Sequence, residues 1–153
     1  MDTNEIIIEQ VTAFSPEIVD AISAFVRKLG NNYQPFTEDS LQEIINSPQS
    51  YLFIARHIPT KKIAGMIMEI VYRIPYTKKA YIEDLFVDEQ FRKMGIATRL
   101  MQKTLDTAKE HHAAYVDFTS QPHRVEGNTL YEKLGFKKRD TNVYRLKIIY
   151  EEV

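Results

Sequence analysis

The chain has 153 residues, of which 44% are hydrophobic and 27% charged, and its formal net charge is -1. A chain of this length buries roughly two-thirds of the surface that its unfolded form exposes, which predicts one well-cored domain over residues 1–153 and excludes disordered and fibrous classes. The charge balance argues against a general nucleic-acid binder, and the lack of any cysteine excludes disulfides, thiolate metal sites and cysteine nucleophiles.

The N-terminus, Met1-Asp2-Thr3-Asn4-Glu5, has the pattern of neither a signal nor a transit peptide. No apolar run approaches the ~20 residues that cross a bilayer. A soluble, cytoplasmic protein with no membrane partner is the expectation.

Glu5 to Val11 is β-branched and predicts a strand. Ser15-Pro16-Glu17 supplies an N-cap, a proline suited to the first helical position and an acid facing the helix dipole. Ile18, Val19, Ile22, Phe25, Val26 and Leu29 then recur at helical spacing until Gly30. Thr37 caps a second expected helix through Ile45, after a loop holding Tyr33 and Phe36. Tyr51–His57 and Ile63–Tyr72 predict strands joined by a proline-containing turn at 58–62; a second turn spans Arg73–Lys79, and Tyr81–Val87 is a third strand.

A long helix is expected from near Gly95 to near His112, then a strand over Ala114–Phe118 buried between helices, and a short helix over Gly127–Leu134. A closing pair of strands runs from Phe136 to Ile149. This order predicts an α+β class with a mainly antiparallel start and a later strand-helix-strand crossover. Lys137-Lys138-Arg139 is too short a basic run to mark more than a solvated start of a strand. The four histidines show no metal-ligand spacing, so no metal is expected; His111 and His112 suit the C-terminal end of a helix.

The stretch from Val87 into the long helix is the most informative. Helix N-termini leave backbone amides unpaired and carry partial positive charge, so they bind anions. Gly95 and Ala97 permit close approach of a phosphate, and Arg92, Lys93 and Arg99 add positive charge. A helix capped by a glycine turn would read equally well from these residues alone. A P-loop and a Rossmann fingerprint are both excluded, for want of Gly-Lys-Ser/Thr and of three spaced glycines.

Arg92-Lys93-Met94-Gly95-Ile96-Ala97 resembles the coenzyme-A-binding motif of the GNAT superfamily of N-acetyltransferases: Arg or Gln, two residues, Gly, one residue, Gly or Ala. The preceding strand, Tyr81-Ile82-Glu83-Asp84-Leu85-Phe86-Val87, is similar to the family's central strand, and Asn128-Thr129-Leu130-Tyr131-Glu132-Lys133-Leu134-Gly135-Phe136 to its second motif region. The resemblance covers nearly the whole chain. It implies an α/β sandwich with a mixed sheet of six to seven strands and about four helices, and acetyl-coenzyme A as co-substrate.

The resemblance also implies roles. Backbone groups of Leu85, Phe86 and Val87 pair with the pantetheine arm, where one amide polarises the thioester carbonyl. Amides of Arg92, Lys93, Met94, Gly95, Ile96, Ala97 and Thr98 hold the pyrophosphate. Tyr131 stands at the general-acid position and also contacts the cofactor, together with Asn128, one helical turn earlier. Many relatives carry a coenzyme-contacting asparagine at the position held here by Arg124, a departure that leaves the Asn128 contact open. Glu83 is the expected base, acting through a water on the acceptor amine. Asp84 should point to the opposite face, since side chains alternate along a strand.

Glu83, Asp84, Tyr33 and Phe36 are the candidate acceptor-binding residues, with Tyr72, Tyr76 and Tyr144 as further aromatics. Glu83, Asp84 and the acidic second helix suggest a cationic acceptor such as a polyamine or other small primary amine, with protein N-termini or lysine side chains as the next candidates. A homodimer through the terminal strands follows from the family resemblance. The competing reading is a noncatalytic module that binds acyl-coenzyme A as a sensor or docking domain.

Overall fold

Five segments rich in apolar and β-branched residues pair in chain order, so that the sheet runs β1-β2-β3-β4-β5. They are β1 Ile6–Gln10, β2 Ser50–His57, β3 Ile63–Ile74, β4 Thr77–Val87 and β5 Tyr115–Asp117. The computed structural model describes residues 5–30 and 34–151, which fall into a first unit, Met1–Thr119, and a second, Ser120–Val153. The first three pairings are antiparallel and the last is parallel. With helices α1 Pro16–Leu29, α2 Glu38–Asn46, α3 Ile96–Glu110 and α4 Val125–Lys133, the class is α+β with a mixed sheet and four helices.

Local signals set the helix ends. Pro16 opens α1 after Ser15, and the Thr37 hydroxyl accepts from the Ser40 amide at 3.2 Å while Ser40 Oγ accepts from the Thr37 amide at 3.2 Å. These reciprocal bonds satisfy amides that the first turn of α2 would leave unpaired. The apolar face of α1, with Ile18, Ile22 and Phe25, packs in one core with Leu41 of α2 and with Leu52, Ile54 and Met66 of the sheet. On the opposite sheet face, Val71 and Ala80 pack against Ala108 of α3. Arg56 ties β2 to both neighbours, donating to Glu9 of β1 at 3.0 Å and to Glu17 of α1 at 2.9 Å.

Three expectations require correction. The turn assigned to Arg73–Lys79 is only Pro75-Tyr76, because Ile74 and Thr77 already pair; the charged residues of the hairpin are strand. β5 is not buried between helices: Tyr115 is 59% exposed, as suits a three-residue strand at the sheet edge. No strand forms over 136–151, so the described sheet has five strands rather than six or seven.

The cause of this last difference is general. Tyr144, Leu146, Ile148 and Tyr150 alternate as a strand would, and all four are exposed. A period-two pattern says which face would be buried and not what the backbone pairs with. Among the described residues of the second unit, α4 is the one regular element. No helix of the described residues is long and apolar enough to cross a membrane.

Candidate active site

Strand β4 is regular until Glu83 and then carries one residue too many. Met68 faces Glu83 while Met66 faces Phe86, so two steps along β3 match three along β4. The surplus residue is accommodated at Asp84, whose φ of 53° is left-handed. Aspartate tolerates that region better than most residues, and a bulge of this kind bends the strand and re-aims side chains. On its other side β4 pairs with β5 only at Lys79, Ala80 and Tyr81. Among the described residues, Ile82 to Val87 therefore have no strand partner on that edge. Leu85, Phe86 and Val87 lie on this stretch without a strand partner on that edge.

Close approach fixes the geometry on the β3 side. A Cβ on Gly65 would lie 2.7 Å from the Phe86 carbonyl oxygen and 3.5 Å from Ile96 Cγ2 at the start of α3. Only glycine fits where β3, β4 and α3 meet. Gly65→Ala is therefore expected to destabilise the fold by about 1–3 kcal/mol and, in the arrangement that the resemblance implies, to weaken binding of the acyl donor by displacing Phe86. Equal melting temperature and equal ligand affinity in the variant would show that the strands yield freely.

The turn after β4 is anchored before it reaches α3. Asp88 donates its amide to Ala64 at 2.8 Å, and its carboxylate accepts from the Gln90 amide at 3.0 Å and from Lys28 of α1 at 3.4 Å. The Phe91 ring is buried against His57, with centroids 5.0 Å apart. From there Arg92 to Gly95 form an exposed turn in which Lys93 and Gly95 both have positive φ, 63° and 74°. Arg99 is the first residue of α3 whose amide finds a helical acceptor, Gly95 O at 3.1 Å, and Gly95 provides no side-chain cap. The first turn of α3 also contains no acidic side chain. Its leading amides and the dipole they end are thus available to an anion.

Two observations concern this turn. No described protein atom lies within 4 Å of a Cβ added to Gly95, and its φ of 74° is left-handed, so the backbone angle alone is a reason for glycine there. The Arg99 guanidinium donates to the Ile6 carbonyl, which ties the start of α3 to β1. Arg92 and Lys93 are exposed in the turn itself.

A cavity of about 270 Å³ opens on the sheet face that α1 and α2 cover. Ile22 and Val26 of α1, Phe36 and Ile44 line it on one side, and Leu52, Met66, Met68 and Ile70 of the sheet on the other. Glu83 and Asp84 complete the lining. Asp84 does not point to the opposite face from Glu83. Strict alternation fails because the bulge inserts a left-handed residue, which brings both acids to one cavity. Asp84 is exposed by area, yet enough protein surrounds its carboxyl for desolvation to raise its pKa above the ordinary value. Phe36 is among the residues that line this cavity, and Tyr72 and Tyr76 are not among them. Tyr33 lies outside the described residues.

Tyr131 and Asn128 belong to the second unit. Within α4 the Tyr131 ring lies over Gly127, whose added Cβ would sit 3.4 Å from the phenol oxygen. Partial burial raises the pKa of that phenol, and the charge of Arg124 opposes the rise. The group therefore stays protonated at neutral pH, as a proton donor must. Asn128 shares the same helix but uses its amide locally, donating to the Gln121 carbonyl at 3.2 Å and the Pro122 carbonyl at 3.4 Å. Tyr144 is 87% exposed. No group of three or more His, Cys, Asp or Glu among the described residues is arranged to hold a metal ion.

Residues 12–150 match the family model of the acetyltransferase (GNAT) domain. The chain belongs to the GNAT acetyltransferase family. Solved structures of this fold are similar over nearly their whole length. An aminoglycoside acetyltransferase from an uncultured soil metagenomic sample has a TM-score of 0.80 at 21% identity, covering 96% of this chain and 98% of its own. Glucosamine-6-phosphate N-acetyltransferase from Arabidopsis thaliana scores 0.76 at 16% identity, with coverage of 92% and 97%. AAC(6')-Iy, in complex with a bisubstrate analogue that contains coenzyme A, scores 0.77 at 15% identity, with coverage of 94% and 99%. At such identities the likeness is one of GNAT fold. A comparison with curated protein sequences finds no significant match.

Proposed function

We propose that this GNAT chain transfers an acetyl group from acetyl-coenzyme A to a primary amine, by direct attack of the amine on the thioester in a ternary complex. The observation that carries this reading is the bulged end of β4 running into the uncapped start of α3. An open strand edge suits the amide-bearing pantetheine arm, and unpaired helix amides suit a pyrophosphate. Leu85, Phe86 and Val87 are assigned to the arm, and the amides from Arg92 to Thr98 to the pyrophosphate. The family match runs through both units, which supports their acting as one domain over residues 1–153.

Two protons must move. An alkylamine has a pKa of about 10 and is mostly protonated at neutral pH, so a base has to take its proton before it attacks. Glu83 is assigned that role through a water, with Asp84, Phe36 and Tyr33 assigned to hold the acceptor. The nitrogen lone pair forms the new C–N bond, the C–S bond breaks, and the departing thiolate takes a proton from Tyr131. Asn128 is assigned a secondary cofactor contact, to be made while its amide spans the 121–122 loop.

Titration of acetyl-coenzyme A by calorimetry tests the donor assignment. Binding is expected, together with thermal stabilisation equivalent to about 2.7 kcal/mol at a ligand concentration of 100 Kd. Absence of both heat and stabilisation at millimolar ligand would remove the assignment. Binding without thiol release for any amine would instead favour the noncatalytic sensor.

A further inference from the structure

We infer that the acceptor is a small monoamine with an apolar body, an alkylamine or arylalkylamine of up to about nine heavy atoms, held in the cavity between α1, α2 and the sheet. The inference rests on the acetyltransferase reading above and narrows it. Two adjacent carboxylates, Glu83 and Asp84, are the charged groups of the lining among the described residues. The bulge puts both residues side by side on the wall, and the ammonium is assigned to that end of the cavity. The other side chains named on the lining are hydrocarbon or thioether, including Val26, Phe36, Met68 and Ile70.

Such walls discriminate by what they fail to offer. A hydroxylated sugar or a second ammonium placed against them would lose its water and gain no hydrogen bond, a penalty that an alkyl or phenyl group does not incur. Methionine and phenylalanine also adapt their shape to an apolar body. Size sets the limit. At about 30 Å³ for each water-sized group, a cavity of about 270 Å³ accommodates roughly nine heavy atoms.

Hexylamine, 2-phenylethylamine, spermidine and glucosamine 6-phosphate are compared as acceptors by thiol release, and as ligands by calorimetry with and without coenzyme A. The two apolar amines are expected to show kcat/KM at least tenfold above the others. Along a series from butylamine to octylamine, kcat/KM should rise by about fourfold per methylene until the cavity is filled. Met68→Glu should raise KM for hexylamine at least tenfold while acetyl-coenzyme A affinity holds. Ile70→Thr, a milder change in the same wall, serves if that variant does not fold, with a severalfold rise expected. Spermidine or glucosamine 6-phosphate equalling hexylamine, or a flat alkyl series, would overturn the inference. Failure of acetyl-coenzyme A to bind counts against the donor assignment alone, since amine binding is read separately; a protein that binds no hexylamine in either state refutes the acceptor class.

Discussion

Tyr131→Phe is expected to lower kcat by about 10²- to 10³-fold while leaving the affinity for acetyl-coenzyme A within about twofold, because a positioned general acid contributes on that scale. In the proposed reaction the thiolate of coenzyme A leaves as an anion, and the neutral phenol of Tyr131 is assigned to give it the proton. Burial keeps the phenol protonated, with Arg124 limiting the rise in its pKa. Phenylalanine retains the ring that lies over Gly127, so α4 keeps its packing and loses only the hydroxyl. Steady-state kinetics with a reactive amine, beside a direct binding titration, separate the two effects. An unchanged kcat would show that water protonates the leaving group. A large loss of affinity would show that the hydroxyl holds the cofactor instead. The basic limb of the wild-type pH profile should lie above the ordinary tyrosine range and disappear in the variant.

Much of this arrangement is legible in the chain because its signals are local. Ser15-Pro16 and Thr37 mark the starts of α1 and α2 where the structure has them, and turn residues at 58–62 join β2 to β3. Gly95 also reads as a position suited to glycine, and its left-handed backbone angle supplies a reason that needs no ligand. What escapes the sequence is pairing. Alternation predicts opposite faces for Glu83 and Asp84, and one surplus residue in β4, visible only against β3, reverses that result. The alternating run near the C-terminus names no partner strand and forms none.

Two positions left signals that could have been read. Gly65 is an isolated glycine in a strand pattern, which commonly marks close backbone approach, and it stands where β3 meets the Phe86 carbonyl. Phe91, the one aromatic residue of an otherwise polar turn, anchors the segment that leads into α3. Both act through backbone placement on the region assigned to the cofactor. Motif reading, which asks for reactive side chains, passes over such residues.

Glu69 has a comparable origin and a larger consequence for stability. It interrupts the apolar run Met66-Ile67-Met68-Glu69-Ile70-Val71 and lies in the middle of β3, opposite Tyr51 and Ile82. It is fully buried, and neither carboxylate oxygen has a hydrogen-bond partner among the described residues. Desolvation raises its pKa from 4.5 to about 8. The protonated acid is therefore the form the fold accommodates. Between those two values the unfolded chain binds fewer protons than the native one, so stability falls as pH rises. The full contribution is present below about pH 4.5 and is gone above about pH 8. At pH 7 the loss amounts to about 3 kcal/mol, at 1.36 kcal/mol per pH unit. Glu69→Gln keeps the shape and removes the titration. It should match the wild type near pH 4.5 and be more stable by about 3 kcal/mol at pH 7, a rise in Tm of roughly 6–12 °C for a domain of this size. Denaturant unfolding from pH 4.5 to 8.5 measures the difference directly. A gap that stays constant with pH would mean that the carboxyl is ionised and solvated in the native state, and that β3 opens to water at its centre.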